Sequence, residues 1–271
     1  CGRGNEPDMT VAREMILGID IGTSACKCQL LGADGKVYAE SSAVYHPVSA
    51  RPGWSEQDPE DWFRAVIRAL ASLTGPEKTL LRKTAAVGVT GQMRGIVLLG
   101  ADGLPVRNAV LWNDSRCAAE AEELERDHGA LLRAITHNPL NTMCSLPKLR
   151  WLMNNEPASW ERTVRLAYPK DYIAYRLTGE TGTDHSDASG SSFYDIRERT
   201  WSGKIMGLFG IDGGKLPPLR QSTDIAGFVN AAASGETGIP AGIPVAAGGS
   251  DAVTELLAAG IASSTRCKVR M

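Results

Sequence analysis

The sequence predicts an α/β domain in which a mixed β-sheet is flanked by helices. Three observations predict it. The chain opens with three strand-like runs joined by tight turns, as an antiparallel meander would. An amphipathic helix with start signals follows and leads into a fourth strand, giving the order β-β-β-α-β-α. The first glycine turn, Gly22-Thr23-Ser24, runs into a strand, whereas a dinucleotide-binding fold needs a GxGxxG turn that opens a helix.

The elements follow in order. Met15 to Asp20 reads as a buried strand ending in a carboxylate. Ala25 to Leu31 is a second strand, Ala33-Asp-Gly35 a turn, and Val37 to Ala43 a third strand. Asp58 has the features of a helix N-cap, with Pro59 at the first helical position and Glu60 and Asp61 in the first turn. Trp62, Val66 and Leu70 recur at four-residue spacing beside Phe63 and Ile67, which predicts an amphipathic helix ending near Gly75-Pro76. Thr84 to Thr90 is the next strand. Ile96 to Leu99 and Val106 to Trp112, around Ala101-Asp-Gly103, read as a hairpin. Helical spacing covers Ser115 to Asp127, Ser145 to Asn154 and Lys170 to Leu177, with Gly179 as a C-terminal cap. Asp184 to Ser192 is polar and glycine-containing, and Trp201 to Phe209 is a short helix. Val245 to Ala247 is a strand, Gly248-Gly-Ser-Asp251 a turn, and Ala252 to Ala259 a helix. Cys267 to Met271 alternates like the start of another strand.

Composition narrows the function classes. The 271 residues are 43% hydrophobic and 22% charged, ordinary for a soluble globular protein. A net charge of −2 gives no basic field for nucleic acid or an anionic membrane surface. No apolar run is long enough to span a bilayer. Residues 1–14 are polar, have no apolar signal core, and read as a leader or appended segment, with Met15 as the natural start. The six cysteines form no CxxC pair and have no histidine at zinc-ligand spacing. They read as free thiols in a reducing compartment, hence a cytoplasmic protein. Cys26 and Cys28 would share one strand face. A symmetric homodimer is the commonest soluble assembly and is a possible state.

Several short stretches could carry chemistry. Asp20-Ile-Gly-Thr-Ser24 sets a carboxylate at a strand end beside a glycine turn. Its backbone N–H groups suit a phosphate, and Asp20 suits Mg²⁺, which prefers oxygen ligands; a plain hairpin turn would look the same. In Gly248-Gly-Ser-Asp251 the carboxylate lies between a glycine turn and a helix start, as a functional group or as an N-cap. Gly91-Gln-Met-Arg-Gly95 at a strand end could hold a small polar ligand, with Met93 packing and Arg94 donating; a strand-exit turn with a solvated Arg is the other reading. In Leu111-Trp-Asn-Asp-Ser-Arg116, Asp114 either binds a ligand hydroxyl or caps the next helix.

In this order the motifs resemble the FGGY carbohydrate kinase family, and within it the xylulokinase-like group. Gly18 to Ser24 with Lys27 resembles the family's first phosphate motif. Gly53-Trp-Ser-Glu-Gln57, with Pro59 and Trp62, resembles a further loop of the family. Gly91 to Gly95 resembles the sugar loop. Leu111 to Asp114 with Arg116, Pro169-Lys-Asp-Tyr172 with Arg176-Leu-Thr-Gly179, Thr183-Asp184, Ser186 to Gly190, and Gly248 to Asp251 continue the likeness. It runs from Met15 to the last residue.

The resemblance implies an actin/hexokinase-like (ribonuclease H-like) domain over residues 15–271 that binds a sugar or polyol. A second domain holding most of the ATP would be absent. It implies ATP and Mg²⁺ as cofactors. Asp251 would be the base that takes the hydroxyl proton, and Asp20 would stand at the phosphate and metal. Gln92, Met93, Arg94, Trp112 and Asp114 would face the sugar, and Gly22, Thr23, Ser24 and Lys27 the phosphate. The chain alone would then be inactive as a kinase. The other readings are a non-catalytic sugar sensor and a ribulose- or glycerol-type kinase of the same family. Xylulokinases usually carry His where this chain has Arg94, so the substrate is expected to be another ketose or polyol, or one that offers Arg94 an acceptor.

Overall fold

The computed structural model describes residues 15–261, so the leader reading and the strand expected at Cys267 to Met271 lie outside the described residues. Strands β1 (Met15–Ile21), β2 (Ala25–Gly32) and β3 (Val37–Val44) form the expected antiparallel meander. The short β4 (Glu56–Gln57) precedes helix α1 (Pro59–Ala71). The Asp58 carboxylate caps α1 by accepting the Glu60 N–H at 2.9 Å. The helix stops at Ala71. Gly75-Pro76, expected to end it, instead opens α2 (Gly75–Leu81), where Glu77 accepts the Thr74 N–H at 3.1 Å. Proline near a helix start costs no hydrogen bond, so the same residues fit either role. β5 (Thr84–Gly91) then runs parallel to β1.

The hairpin expected between Ile96 and Trp112 is largely absent. Two isolated bridges remain, Ile96 with Val110 and Leu99 with Pro105. β6 (Val97–Leu99) pairs with a later strand, and β7 (Ala109–Val110) pairs back to β4. The middle of the chain is helical, as expected: α3 (Ala118–Thr136), α4 (Ser145–Asn155) and α5 (Pro157–Arg162). α3 starts and ends later than the Ser115–Asp127 reading. Strand β8 (Arg165–Ala167) is the partner of β6, and α6 (Pro169–Thr178) ends on Gly179 at φ 85°.

The polar stretch after it folds into β9 (Thr183–Asp184) and α7 (His185–Ser189). A small hairpin, β10 (Tyr194–Asp195) with β11 (Thr200–Trp201), takes up Trp201. The helix expected from Trp201 therefore starts later, as α8 (Gly203–Phe209), with the Ser202 side chain as its cap. The chain closes through β12 (Leu219–Arg220), β13 (Ile225–Phe228), α9 (Ala231–Thr237), β14 (Pro244–Ala246), β15 (Gly249–Ser250) and α10 (Asp251–Ala258).

The main sheet has the order β13-β14-β5-β1-β2-β3, with β15 also paired to β5. It is mixed: β1, β14 and β15 run parallel to β5, and the other pairs are antiparallel. Alternation decides which face is buried. Leu17, Ile19 and Ile21 of β1 and Cys26, Cys28 and Leu30 of β2 point into a core shared with Trp62, Phe63, Val66 and Leu70 of α1. A second core gathers Leu98, Leu149, Leu166, Tyr168 and Phe193 beneath α3 and α4. The other face of the sheet carries Gly18, Asp20, Lys27 and Gln29, and there the candidate site begins.

Candidate active site

Two pockets flank the turn from β15 into α10. One is a groove of about 480 Å³ on the open sheet face, lined by Asp20, Lys27, Gln29, Thr90, Gly248, Gly249 and Thr254, among others. The other is a cavity of about 370 Å³ lined by Thr23, Met93, Arg94, Trp112, Met143, Asp251 and Ala252. The groove thus takes Asp20 and the glycines, and the cavity takes Asp251 and the Met93-Arg94 loop.

Strand register explains the groove. Asp20 lies directly opposite Lys27 on β2 and opposite Thr90 on β5. Residues opposite one another on neighbouring strands share a face, so the carboxylate and the ammonium stand together. Burial pushes the Asp20 carboxyl above its ordinary value; Lys27 opposes this, while Asp251 and Glu255 add to it. Asp20 therefore feels the charge of Asp251 across the turn. At Gly248 a Cβ would lie 1.9 Å from the Val89 carbonyl oxygen, and φ is 72°, so only glycine lets this turn lie on β5. Thr90 Oγ1 donates to the Gly249 carbonyl at 2.7 Å and lies 2.9 Å from Thr254 Oγ1, fixing α10 to the strand.

Asp251 is the first residue of α10, and Ser250 holds the N-cap position. Asp251 Oδ1 accepts the Ala252 N–H at 2.7 Å. The peptide before it is held from below: the Ser250 N–H donates to Ser186 Oγ at 2.9 Å, and Ser186 Oγ donates to Asp184 at 2.6 Å. Asp184 also accepts from Ser222 Oγ at 2.8 Å. Its other oxygen meets a fully buried ammonium, Lys170, at 3.1 Å. Lys170 Nζ also lies 2.5 Å from Asp171 and 3.3 Å from Asp187. Lys170 and the serines hold Asp184 below the usual carboxylate range against its burial. Burial, with Asp171 and Asp184 beside it, holds the Asp187 carboxyl well above that range despite Lys170.

The cavity wall rests on a polar chain. Trp62 Nε1 donates to Gln57 Oε1 at 2.8 Å, and Gln92 Nε2 donates to the same oxygen at 3.1 Å. Gln57 Nε2 donates to the Thr23 carbonyl at 2.7 Å, and Trp112 Nε1 donates to Thr23 Oγ1 at 3.1 Å.

Several expected contacts are rearranged. Thr23, assigned to the phosphate, lines the cavity beside Trp112. Gly22 and Ser24 line neither pocket; the Gly22 carbonyl accepts the Tyr45 hydroxyl at 2.6 Å. Gln92 is buried behind the cavity wall and braces Gln57. Asp114 does not face the cavity. It is fully buried, accepts the Ser55 N–H at 2.6 Å, and is gripped by Arg116 through bonds of 2.9 and 2.7 Å. Arg116 in turn lies over the Trp54 ring at 3.6 Å. Asp114 thus joins two loops of the wall; its Oδ1 also accepts the Arg116 N–H at 2.9 Å on the way into α3, whose N-cap position falls to Cys117.

Met143, Gln29, Thr90 and Thr254 escaped the sequence reading. Gln29 and Thr90 were accessible from strand period and register, and Thr254 from its position three residues after Asp251. Met143 arrives from a distant loop with no local signal. Among the described residues no three His, Cys, Asp or Glu side chains could hold a metal together. No helix among them is long and apolar enough to cross a membrane. The cysteines at 26, 28, 117 and 144 are free and buried, and the Cys26 and Cys28 sulfurs lie 3.8 Å apart on the shared face.

Comparison with known proteins gives the family. The profile of the FGGY family of carbohydrate kinases, N-terminal domain, matches residues 15–258. A xylulose kinase of Bacillus subtilis is 37% identical over 256 residues, which is 94% of this chain and 51% of that protein. The crystal structure of xylulose kinase from Rhodospirillum rubrum superposes with a TM-score of 0.86 at 30% identity, over 92% of this chain and 51% of that one. A xylulose-type kinase from Brucella ovis gives 0.83 at 34% identity, over 88% and 49%. The chain spans about half the length of the curated relatives it matches.

Proposed function

Because the chain belongs to the FGGY family of carbohydrate kinases, with their actin/hexokinase-like fold, we propose that residues 15–271 are the sugar-binding domain of a kinase for a ketose or polyol. The observation that carries this reading is the pair of carboxylates flanking one turn. Asp251 lines the cavity, and Asp20 lines the adjoining groove, close enough for Asp20 to feel the charge of Asp251.

The chain's own residues divide the work. The cavity binds the sugar, with Trp112, Met93 and Met143 as its apolar walls and Arg94 as a donor. Asp251 orients the attacking hydroxyl and accepts its proton. An ordinary carboxylate suffices, because phosphoryl transfer is loose and the proton leaves late. The Thr90–Thr254 and Ser250–Ser186 contacts hold Asp251 in place. Gly248 and Gly249 let a phosphate approach the backbone, and Lys27 balances its charge.

ATP with Mg²⁺, when bound, supplies the phosphoryl group and offsets charge on it. The groove fits that pair. Asp20 is a half-buried carboxylate whose ionised form is disfavoured and would be stabilised by a cation. Mg²⁺ typically takes one or two carboxylates together with phosphates and waters, so a three-carboxylate cage is not needed. Water must be kept from the phosphoryl group, which in two-domain kinases is the work of closure.

A coupled assay of ADP release tests this. The 271-residue chain is supplied with ATP, Mg²⁺ and, in turn, D-xylulose, D-ribulose and glycerol. The expected result is no sugar-dependent ADP above background, together with measurable sugar binding by calorimetry. Sustained sugar-dependent turnover would overturn the half-enzyme reading.

A further inference from the structure

We propose that the cavity selects a polyhydroxy carboxylate, an aldonate, whose carboxylate sits on Arg94 while one of its hydroxyls meets Asp251. This rests on the sugar-pocket reading above and names the substrate class.

The backbone and stem of Arg94 are firmly held. Its φ is 64°, a left-handed conformation that a side chain adopts only where surrounding contacts impose it. Its carbonyl accepts Ser145 Oγ at 3.2 Å. The stem passes over Gly190, where a Cβ would come within 3.2 Å of Arg94 Cγ and 3.4 Å of Arg94 Nε. A larger residue there would push the guanidinium aside.

The head of the side chain is different. Among the described residues the Arg94 guanidinium, which lines the cavity, has no carboxylate and no hydrogen-bond acceptor. A second cation lies on the same side. Lys148 is buried, with Nζ donating to the Thr142 and Cys144 carbonyls at 2.5 and 3.1 Å, and its proton is destabilised by burial and by Arg94. The carboxylate that partly offsets Lys148, Asp114, is already committed to Arg116. Lys148 is outside the cavity lining, so at the cavity surface Arg94 is the cation that a ligand carboxylate would meet.

A neutral sugar would strip water from the guanidinium and return only hydroxyl acceptors. A carboxylate accepts two parallel N–H bonds from the planar fork and neutralises it. The cavity, at about 370 Å³, is of small-molecule size.

The test is calorimetric, on the 271-residue chain, with matched probes that differ only at the terminal carbon. The pairs are D-gluconate and D-glucitol, D-xylonate and xylitol, and D-arabinonate and D-arabinitol, with D-xylulose alongside. A charge-assisted bond of this kind is worth a factor of about ten or more in affinity. The expected result is that one aldonate binds about tenfold more tightly than its alditol and than D-xylulose. Arg94→Gln should weaken the aldonate about tenfold more than its alditol and so remove the preference, and Arg94→Lys should keep part of it. Both variants face the same positive φ, so a folding defect would appear equally in their melting curves. If alditols or D-xylulose bind and no aldonate binds better, the inference is overturned and the sugar pocket stands. If Arg94→Gln weakens both members of a pair equally, the inference is also overturned. If no probe binds, both readings fall.

Discussion

Lys170→Met is expected to be among the most costly single substitutions in the chain. The ammonium is 1% exposed and faces Asp171, Asp184 and Asp187 at 2.5, 3.1 and 3.3 Å. Methionine fills much of the same volume, so the packing loss is small and the electrostatic loss dominates. Removing one partner of a buried ion pair costs about 3–5 kcal/mol, because the other charge stays buried without compensation. That is a large part of the roughly 5–15 kcal/mol that a domain has in total. Asp187→Asn is the contrast. Burial disfavours the ionised form of Asp187, so the amide should cost less than about 1 kcal/mol, a small value for a buried site.

Urea unfolding of the two variants at 25 °C reads both. The pH dependence adds a sign. Without Lys170 the carboxylates have folded-state pKa values above their unfolded ones, so the folded variant gains stability as pH falls. In the wild type Asp184 is depressed, so its contribution is intact above the ordinary Asp value of 3.8 and is lost only below it. The deficit of Lys170→Met should therefore shrink between pH 7 and pH 5. A loss below about 1 kcal/mol for Lys170→Met, or equal losses in the two variants, would refute the assignment of charge in this cluster.

Three further outcomes follow. Asp114→Ala should destabilise the chain by about 2 kcal/mol in urea unfolding, since it removes both Asp114 bonds to the buried Arg116 and leaves it Glu56 alone, at 2.6 Å; a neutral result would mean that the Asp114–Arg116 pair does not hold the wall. Lys148 loses its proton near pH 8, below the ordinary lysine value of 10.5, chiefly through burial. Between those values the unfolded state holds the proton that the folded state has released, so wild-type stability relative to Lys148→Met should rise with pH; parallel curves would contradict it. Asp20 has a raised pKa, so its folded-state advantage is lost as pH climbs through that value. Asp20→Asn should melt higher than wild type at pH 7, with the gap closing below pH 3.8, the ordinary Asp value.

What the sequence made legible was local. The β1–β3 meander, the Asp58 cap of α1 and the Gly179 end of α6 depend on neighbours in the chain, and period and turn chemistry report those directly. The Ile96–Trp112 stretch was misread because its two strands take partners far along the chain, β8 and β4, and no local signal names a distant partner. Asp20 and Asp251 were singled out because each adjoins a glycine turn. Asp114 sits in an equally polar stretch, yet its carboxylate turns inward to Arg116 and Ser55, a choice set by tertiary packing. Thr23 was drawn to the phosphate by its place in a glycine turn, whereas the indole of Trp112 holds it at the cavity. Lys170 carried no sign of burial at all, since a lysine in a helical pattern is ordinarily solvated.

The account's central claim is that polyhydroxy ligands enter the cavity between the Met93-Arg94 loop and Asp251. Methyl NMR of the chain labelled at its methionines tests this most directly, because Met93 and Met143 line the cavity while Met15, Met153 and Met206 lie elsewhere. Titration with the aldonates, alditols and D-xylulose should move the Met93 and Met143 methyl signals and leave those of Met15, Met153 and Met206 in place, and Asp251→Asn should weaken the response. Shifts confined to Met15, Met153 or Met206, or no saturable shift at Met93, would contradict the claim.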